Sequence, residues 1–426
     1  MVAFLFICFI ILMLFGLDVA FSMVLASYLG ILVKTTRPVD LTIIPLWMVG
    51  GADSFQLVAI PLFILAGELM NRGGMTRRLV NFSMALIGHL RGSLSHVAVI
   101  TNMIMAGVSG SGIADASATG TILIPAMKDE GYHLAYSGAV IAAAAAIGPI
   151  IPPSIPMIVY AVMANLSVAK LFMAGLLPGL ILGFGFMFVC WIRAKKRNYP
   201  KRERASRREI LQATIRAGWA IMMPVIILGS ILFGVATVTE AATVAVVYAL
   251  FIGLFVHREL RVRDLVDGVY EAGVISGAVM ILLAGSGIFG WLLAESRINY
   301  VVAEFLFGIT QNPLIMLVMI NIALLIIGIL IEPLPALIIF IPALIPIGNK
   351  LGLDPIHFGT IVVINLIFGM LTPPVGFLLF VVSAIGKIPM GPLVRELKPF
   401  LIICLITLVL ITFLPFLTTW VPSLLP

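Results

Sequence analysis

The 426-residue chain is 62% hydrophobic and only 11% charged, which excludes a soluble globular domain and reads as an integral membrane protein. Its net charge of +7 could suggest nucleic acid, but most of the excess is one cluster, Arg193 to Arg208, directly after an apolar run. That is how a cytoplasmic loop follows the positive-inside rule, so a nucleic-acid partner is set aside. Cys8, Cys190 and Cys404 are isolated in apolar segments, match no metal or disulfide spacing, and read as buried, inert thiols.

Apolar runs near the ~20 residues needed to span a bilayer recur along the chain, predicting a polytopic helical protein. The first Lys or Arg is Lys34, so residues 1–33 lack the basic start of a cleavable signal and are expected to stay as two short helices, 2–16 and 18–33. A span at 55–70, a basic stretch from Arg72 to Arg78 and an interfacial helix over 79–91 follow. Two limbs, 93–108 and 117–128, are each too short to span comfortably. Between them lies Gly107-Val-Ser-Gly-Ser-Gly-Ile-Ala-Asp-Ala-Ser117, whose glycines and hydroxyls predict a re-entrant hairpin with its tip in protein, since lipid cannot satisfy such backbone. The next run, about 135–165, carries Ile147-Gly-Pro-Ile-Ile-Pro-Pro-Ser154. Three prolines in five residues remove donors and clash with the preceding turn, so this helix must break.

After a span at 171–192, residues 193–215 read as a basic cytoplasmic loop. Spans near 216–236, 240–256 and 270–294 follow, interrupted by Arg258 to Arg263. A second hairpin is expected over 313–348 with its tip at Glu332-Pro-Leu-Pro335. A second broken helix runs over 357–385, through Phe368-Gly-Met-Leu-Thr-Pro-Pro-Val-Gly376, and a final span over 399–420.

The two halves match. Pro125, Gly131, Gly138, Gly148, Pro152, Pro153 and Pro178 pair with Pro346, Gly352, Gly359, Gly369, Pro373, Pro374 and Pro399, each pair 221 residues apart. Leu65-Ala-Gly67 and Leu283-Ala-Gly285 extend the repeat at a slightly different spacing. With 193–208 inside, alternation leaves Lys34, Arg37, Lys170, Arg297 and Lys350 outside and every other basic residue inside. The first hairpin then enters from the cytoplasm and the second from the opposite side. The expected fold is therefore an all-α polytopic membrane protein built as an inverted repeat, 1–192 and 216–426, each half with one re-entrant hairpin and one broken helix. Such paired breaks point to a transporter's binding site.

Asp115 and Glu332 sit at the hairpin tips, where an acid is costly and commonly faces a cavity, a partner or an ion path. Each is equally placed to cap a half-helix N-terminus. Ser109, Ser111, Ser117, Thr119 and Thr121 surround the first tip. Together with unwound carbonyls at Gly148 and Ile151 they form an oxygen set suited to a small hard cation, although small residues there also serve close helix packing. The second tip offers Thr372 and the carbonyls of Gly328, Gly369 and Gly376. Asn102, Asn165 and Asn365 suit bonds between helices, and Asn365 is the best placed for a ligand. Glu68, Glu240 and Glu271 lie near span ends and are expected to reach the headgroup region. Gly107-Val-Ser-Gly110 has the form found around intramembrane serine nucleophiles, but His96, the one histidine away from a membrane edge, lies about 20 Å from Ser109 along a helix. No enzyme is expected.

These stretches (107–117, 147–154, Leu351-Gly-Leu-Asp-Pro-Ile-His-Phe-Gly359 and the tract from Asn365 to Gly376) resemble the large membrane subunit of TRAP transporters. The resemblance implies a bacterial inner-membrane protein that imports a small organic acid anion, such as a C4-dicarboxylate or sialic acid, driven by sodium. It implies an elevator-type transport domain bearing the hairpins, a separate small membrane subunit of four helices, and a periplasmic substrate-binding protein in which selectivity mainly resides. Carried over, the first sodium site falls on Ser109, Gly110, Ser111, Gly148, Ile151 and Pro153, and the second on Gly328, Gly369, Thr372 and Gly376. Substrate contacts fall near Asp115, Ser117, Ser154, Glu332 and Asn365, with Glu332 standing where many relatives carry aspartate. The closest alternative is a single-component sodium/carboxylate symporter of related architecture. A channel gains little support from two acids at depth.

Overall fold

In the computed structural model, residues 2–34, 41–296, 308–310 and 312–425 are described. Arg37 and Arg297, and the side chain of Lys34, lie outside them. Among the described residues the regular structure is entirely helical, and eight helices are long and apolar enough to cross a membrane.

Helices Val19–Lys34, Ile43–Ala52, Ala59–Arg72, Val238–Phe251 and Val262–Glu295 pack on one another as one group. A second group holds the hairpins and broken helices together with the long helices Val168–Lys196 and Met390–Phe413. Hairpin 1 is Ser93–Ser109 and Gly112–Asp129; hairpin 2 is Pro313–Leu330 and Pro333–Lys350. Broken helix 1 is Leu134–Ala145 and Ile155–Met163, and broken helix 2 is Pro355–Gly369 and Phe377–Gly386.

Polar contacts tie the basic loops to one face. Arg78 pairs with Glu259, Arg72 with Glu271 at 2.8 Å, Arg202 with Glu130, and Arg197 with Glu396. Broken helix 1 starts at this face, where the His133 amide donates to Tyr199 Oη at 3.3 Å and Tyr132 stacks on Tyr199. Broken helix 2 starts at the other. His357 Nδ1 is 2.7 Å from Thr418 Oγ1, and Thr418 lies beyond the helix Met390–Phe413, which rises about 26 Å from Glu396 at the basic face to its end. The halves are thus inverted.

They also interlock. The second limb of each hairpin packs on the second half of the other repeat's broken helix: Gly112–Asp129 on Phe377–Gly386, and Pro333–Lys350 on Ile155–Met163. Glycines also bring each broken helix close to the other half. A Cβ on Gly138 would lie 2.5 Å from Ile388 Cδ1, and one on Gly359 would lie 2.4 Å from the Tyr160 ring.

Several boundaries differ from expectation. The second limb of hairpin 1 begins at Gly112 instead of 117, because the Ser111 side chain accepts the Ala114 amide and caps the helix early. The basic loop shrinks to residues 197–206, because its charged flanks continue as helix and Ser206 starts the next helix through a reciprocal bond with Glu209. Ile43–Ala52 is an unanticipated helix. It crosses Val262–Glu295 where a Cβ on Gly51 would lie 2.9 Å from Gly287 Cα, beside the stacked Trp47 and Trp291 rings.

Candidate functional site

Both helix breaks tighten before they end. Ile147 and Gly148 donate to carbonyls three residues back, as do Met370, Leu371 and Thr372 in the second half. The prolines then stop the helix, and the Pro152–Pro153 and Pro373–Pro374 bonds are both cis. Beyond each break the chain restarts. Ser154 caps Ile155–Met163 by accepting the Met157 amide while donating to the Pro149 carbonyl, so its hydroxyl is fully committed. Gly376, at φ 59, opens Phe377–Gly386, the left-handed conformation that favours glycine. Residues 146–154 are all buried, whereas the second break is exposed at Pro374.

The first tip docks into the first break. Gly110 turns the hairpin at φ 59, and a Cβ there would lie 2.6 Å from the Pro153 carbonyl oxygen. Ser109 donates to Asp115 Oδ1 at 2.6 Å, and Thr119 donates to the Asp115 carbonyl at 2.7 Å. Asp115 is 0% exposed, and its Oδ2 has no hydrogen-bond partner. A Cβ on Gly148 would lie 2.4 Å from that oxygen. A buried carboxylate oxygen without a donor is costly unless something positive or protonated meets it.

The second tip is built differently. Glu332 stands 221 residues beyond Ser111 and starts its helix without a side-chain capping bond, while the position matching Asp115 is Ala336. Glu332 is half-buried. Gly328 and Gly369 touch through their backbones, where a Cβ on Gly369 would lie 2.2 Å from the Gly328 carbonyl carbon. Thr372 donates to the Phe368 carbonyl at 2.8 Å.

The two tips and two breaks converge on one cavity of about 50 Å³. It is lined by Gly110, Ser111, Gly112 and Ile113, by Pro149, Ile155 and Pro156, by Glu332, Pro333 and Leu334, and by Met370. That is small beside the roughly 300–1,000 Å³ of an organic-ligand pocket. Of the anticipated site residues, Ser111, Gly110 and Glu332 line it, while Ser109, Asp115, Gly148 and Pro153 pack together where the first tip meets the first break and do not line the cavity. Ser117 lies on the half-buried side of the second limb, where its carbonyl accepts from Thr121. Ile151 packs against Gly179 of Val168–Lys196. Asn365 is not at the cavity: its amide donates to Asn321 Oδ1 at 2.7 Å, and Asn321 donates to Thr412 at 3.1 Å, an inter-helix chain. Among the described residues no group of three His, Cys, Asp or Glu is placed to hold a metal ion.

Two neighbours were not legible beforehand. Gly67 of Ala59–Arg72 brings that helix against the first tip, with its Cβ position 3.3 Å from Ser109 Cα. Glu68, expected at the headgroups, instead lines a space of about 40 Å³ with Ser109 and Ser111 and sits 3.7 Å from Arg72. The Leu-Ala-Gly motif at 65–67 was the available signal.

A family profile described as the DctM component of the tripartite ATP-independent periplasmic transporter matches residues 6–417. The sialic acid TRAP transporter large permease protein SiaM of Vibrio cholerae is 38% identical over 409 residues, covering 96% of this chain and 95% of that protein. The C4-dicarboxylate TRAP transporter large permease protein DctM of Pseudomonas aeruginosa is 40% identical over 372 residues, 87% of each. The fold is similar to the YdaH transporter of Alcanivorax borkumensis, with a TM-score of 0.65 over 89% of each chain at 13% identity.

Proposed function

Because the chain belongs to the DctM family, the large permease subunits of TRAP transporters in the bacterial inner membrane, we propose that it imports a small organic acid anion coupled to sodium. The observation that carries this reading is the meeting of two hairpin tips and two helix breaks at one cavity. Sialic acid and C4-dicarboxylates, the substrates in the relatives' names, are both carboxylates. No Lys, Arg or His lines the cavity, and Glu332 does, so an approaching carboxylate meets negative charge. Cations would remove that repulsion, which is a physical reason for coupling.

Ser109, Ser111, Asp115, Gly148 and the Pro153 carbonyl are the groups we assign to one cation, and the Gly328, Gly369, Thr372 and Gly376 backbone to a second. Asp115 supports this with its unpartnered buried oxygen. The anion would sit between the tips beside Glu332, its charge offset by the bound cations. Ser154, whose hydroxyl both donates and accepts at the first break, and Asn365, whose amide nitrogen donates to Asn321 away from the cavity, are assigned no direct contact. The hairpin-bearing group would move past the first group of helices as an elevator. The cavity's size fits a closed stage of that cycle. A small membrane subunit and a periplasmic binding protein complete the system, which is a transporter with no catalytic chemistry.

Uptake into proteoliposomes under an imposed sodium gradient tests this, using the chain with its small subunit and with or without the binding protein. Uptake should require both sodium and the binding protein. Uptake without the binding protein would establish the single-component symporter, and sodium-independent uptake would remove the cation assignment.

A further inference from the structure

A second, larger cavity of about 520 Å³ opens at the basic face, and no hairpin-tip residue lines it. Its polar wall is Arg77, Arg78, Asn81, Arg216 and His257, with Glu259; its apolar wall includes Ile215 and Trp219. Arg78 is committed, donating to Glu259 at 2.6 Å and to the Gly74 carbonyl at 3.0 Å. Arg77 and Arg216 are both exposed and form no ion pair among the described residues, although the charge of Arg77 acts on Glu259. The apolar wall continues along the helix. Ile215, Trp219 and Met222 are 64%, 44% and 46% exposed and fall at helical spacing on one stripe running from the arginines toward the bilayer interior.

From this juxtaposition of two unpaired arginines with an exposed apolar stripe, we propose a binding site for an anionic phospholipid. Its phosphate meets Arg77 and Arg216, and an acyl chain lies along Ile215, Trp219 and Met222. A basic pocket between membrane helices is chemically matched to such headgroups. The stripe is what favours a lipid over free phosphate, which would leave it uncovered. The site joins Met75–Ile87 to Arg207–Leu232 and depends on the chain's membrane placement, not on which solute is carried.

The test uses the full chain in phosphatidylcholine vesicles containing a minor share of brominated phosphatidylglycerol. The Trp219 signal is isolated as the difference between wild type and Trp219→Phe. It should be quenched at a lower share of brominated phosphatidylglycerol than of brominated phosphatidylcholine. Arg77→Gln and Arg216→Gln should each raise the half-quenching share about fivefold, from the roughly 1 kcal/mol a basic residue contributes near an anionic surface. Arg77→Lys and Arg216→Lys should keep most of the effect, and Arg263→Gln, a charge loss at a highly exposed side chain outside the cavity, should leave it unchanged. Equal quenching by both lipids, or no response to the arginine variants, would overturn the proposal. Relief of quenching by excess inorganic phosphate would instead identify a site for free anions.

Discussion

Ser109 and Asp115 close the first hairpin tip on itself: the hydroxyl holds one carboxylate oxygen at 2.6 Å, and the other oxygen is left turned toward Gly148 with no donor. One atom is thereby fixed and the other kept available. Ser109→Ala should raise the sodium concentration for half-maximal uptake about tenfold, since a hydrogen bond to a charged group contributes roughly 1.5–3 kcal/mol. Asp115→Asn should abolish the sodium dependence while the protein still elutes as folded. Sodium titrations of uptake in proteoliposomes read both, and unchanged titrations would remove Asp115 from the cation site.

The contact between Gly328 and Gly369 leaves no room for a methyl group. Gly369→Ala should lower thermal stability by about 1–3 kcal/mol, the usual cost of overpacking, and loosen the second hairpin. Gly218→Ala, in a helix where a Cβ meets nothing within 4 Å, should be neutral or stabilise by about 1 kcal/mol through helix propensity. Thermal unfolding monitored in detergent distinguishes them.

Asn365 binds Asn321, and not the cavity. Asn365→Ala should therefore cost stability, about 0.6–2 kcal/mol for an inter-helix bond in a membrane, with substrate KM and sodium affinity unchanged. A KM shift without destabilisation would return it to the substrate site.

At the basic face, the hydrogen bond from Arg78, together with its charge, holds the Glu259 carboxyl below its ordinary range. A carboxylate depressed on folding contributes stability above its unfolded pKa and loses it as pH falls through the folded value. Wild type should be slightly more stable than Glu259→Gln at neutral pH, and the difference should vanish on acidification below the ordinary carboxylate range. The pair is well exposed, so the effect is small. A constant difference across pH would show that the ion pair is not its source.

The breaks and tips were readable because proline, glycine and hydroxyls inside an apolar run have few physical explanations. Ser111 and Glu332 were readable singly. That they line one cavity was legible only through the family resemblance, because it depends on contacts between repeats more than 200 residues apart in sequence. Ile43–Ala52 escaped for a related reason. Pro45, Gly50 and Gly51 argue locally against a helix, and only the match of Gly51 to Gly287 makes one worthwhile. Asn365 and Glu68 show the converse: their residue types were informative, but which neighbour each would meet was set by packing.

The exchange of partners between the halves has a consequence for biosynthesis. The Gly112–Asp129 limb finds part of its packing surface in Phe377–Gly386, which emerges from the ribosome some 250 residues later. Until then a short limb must wait in the membrane with that part of its contact face uncovered. Completion of this half of the molecule is therefore a late event, and a chain cut short anywhere before Phe377 leaves the first hairpin, complete in sequence, without one of the surfaces it rests on.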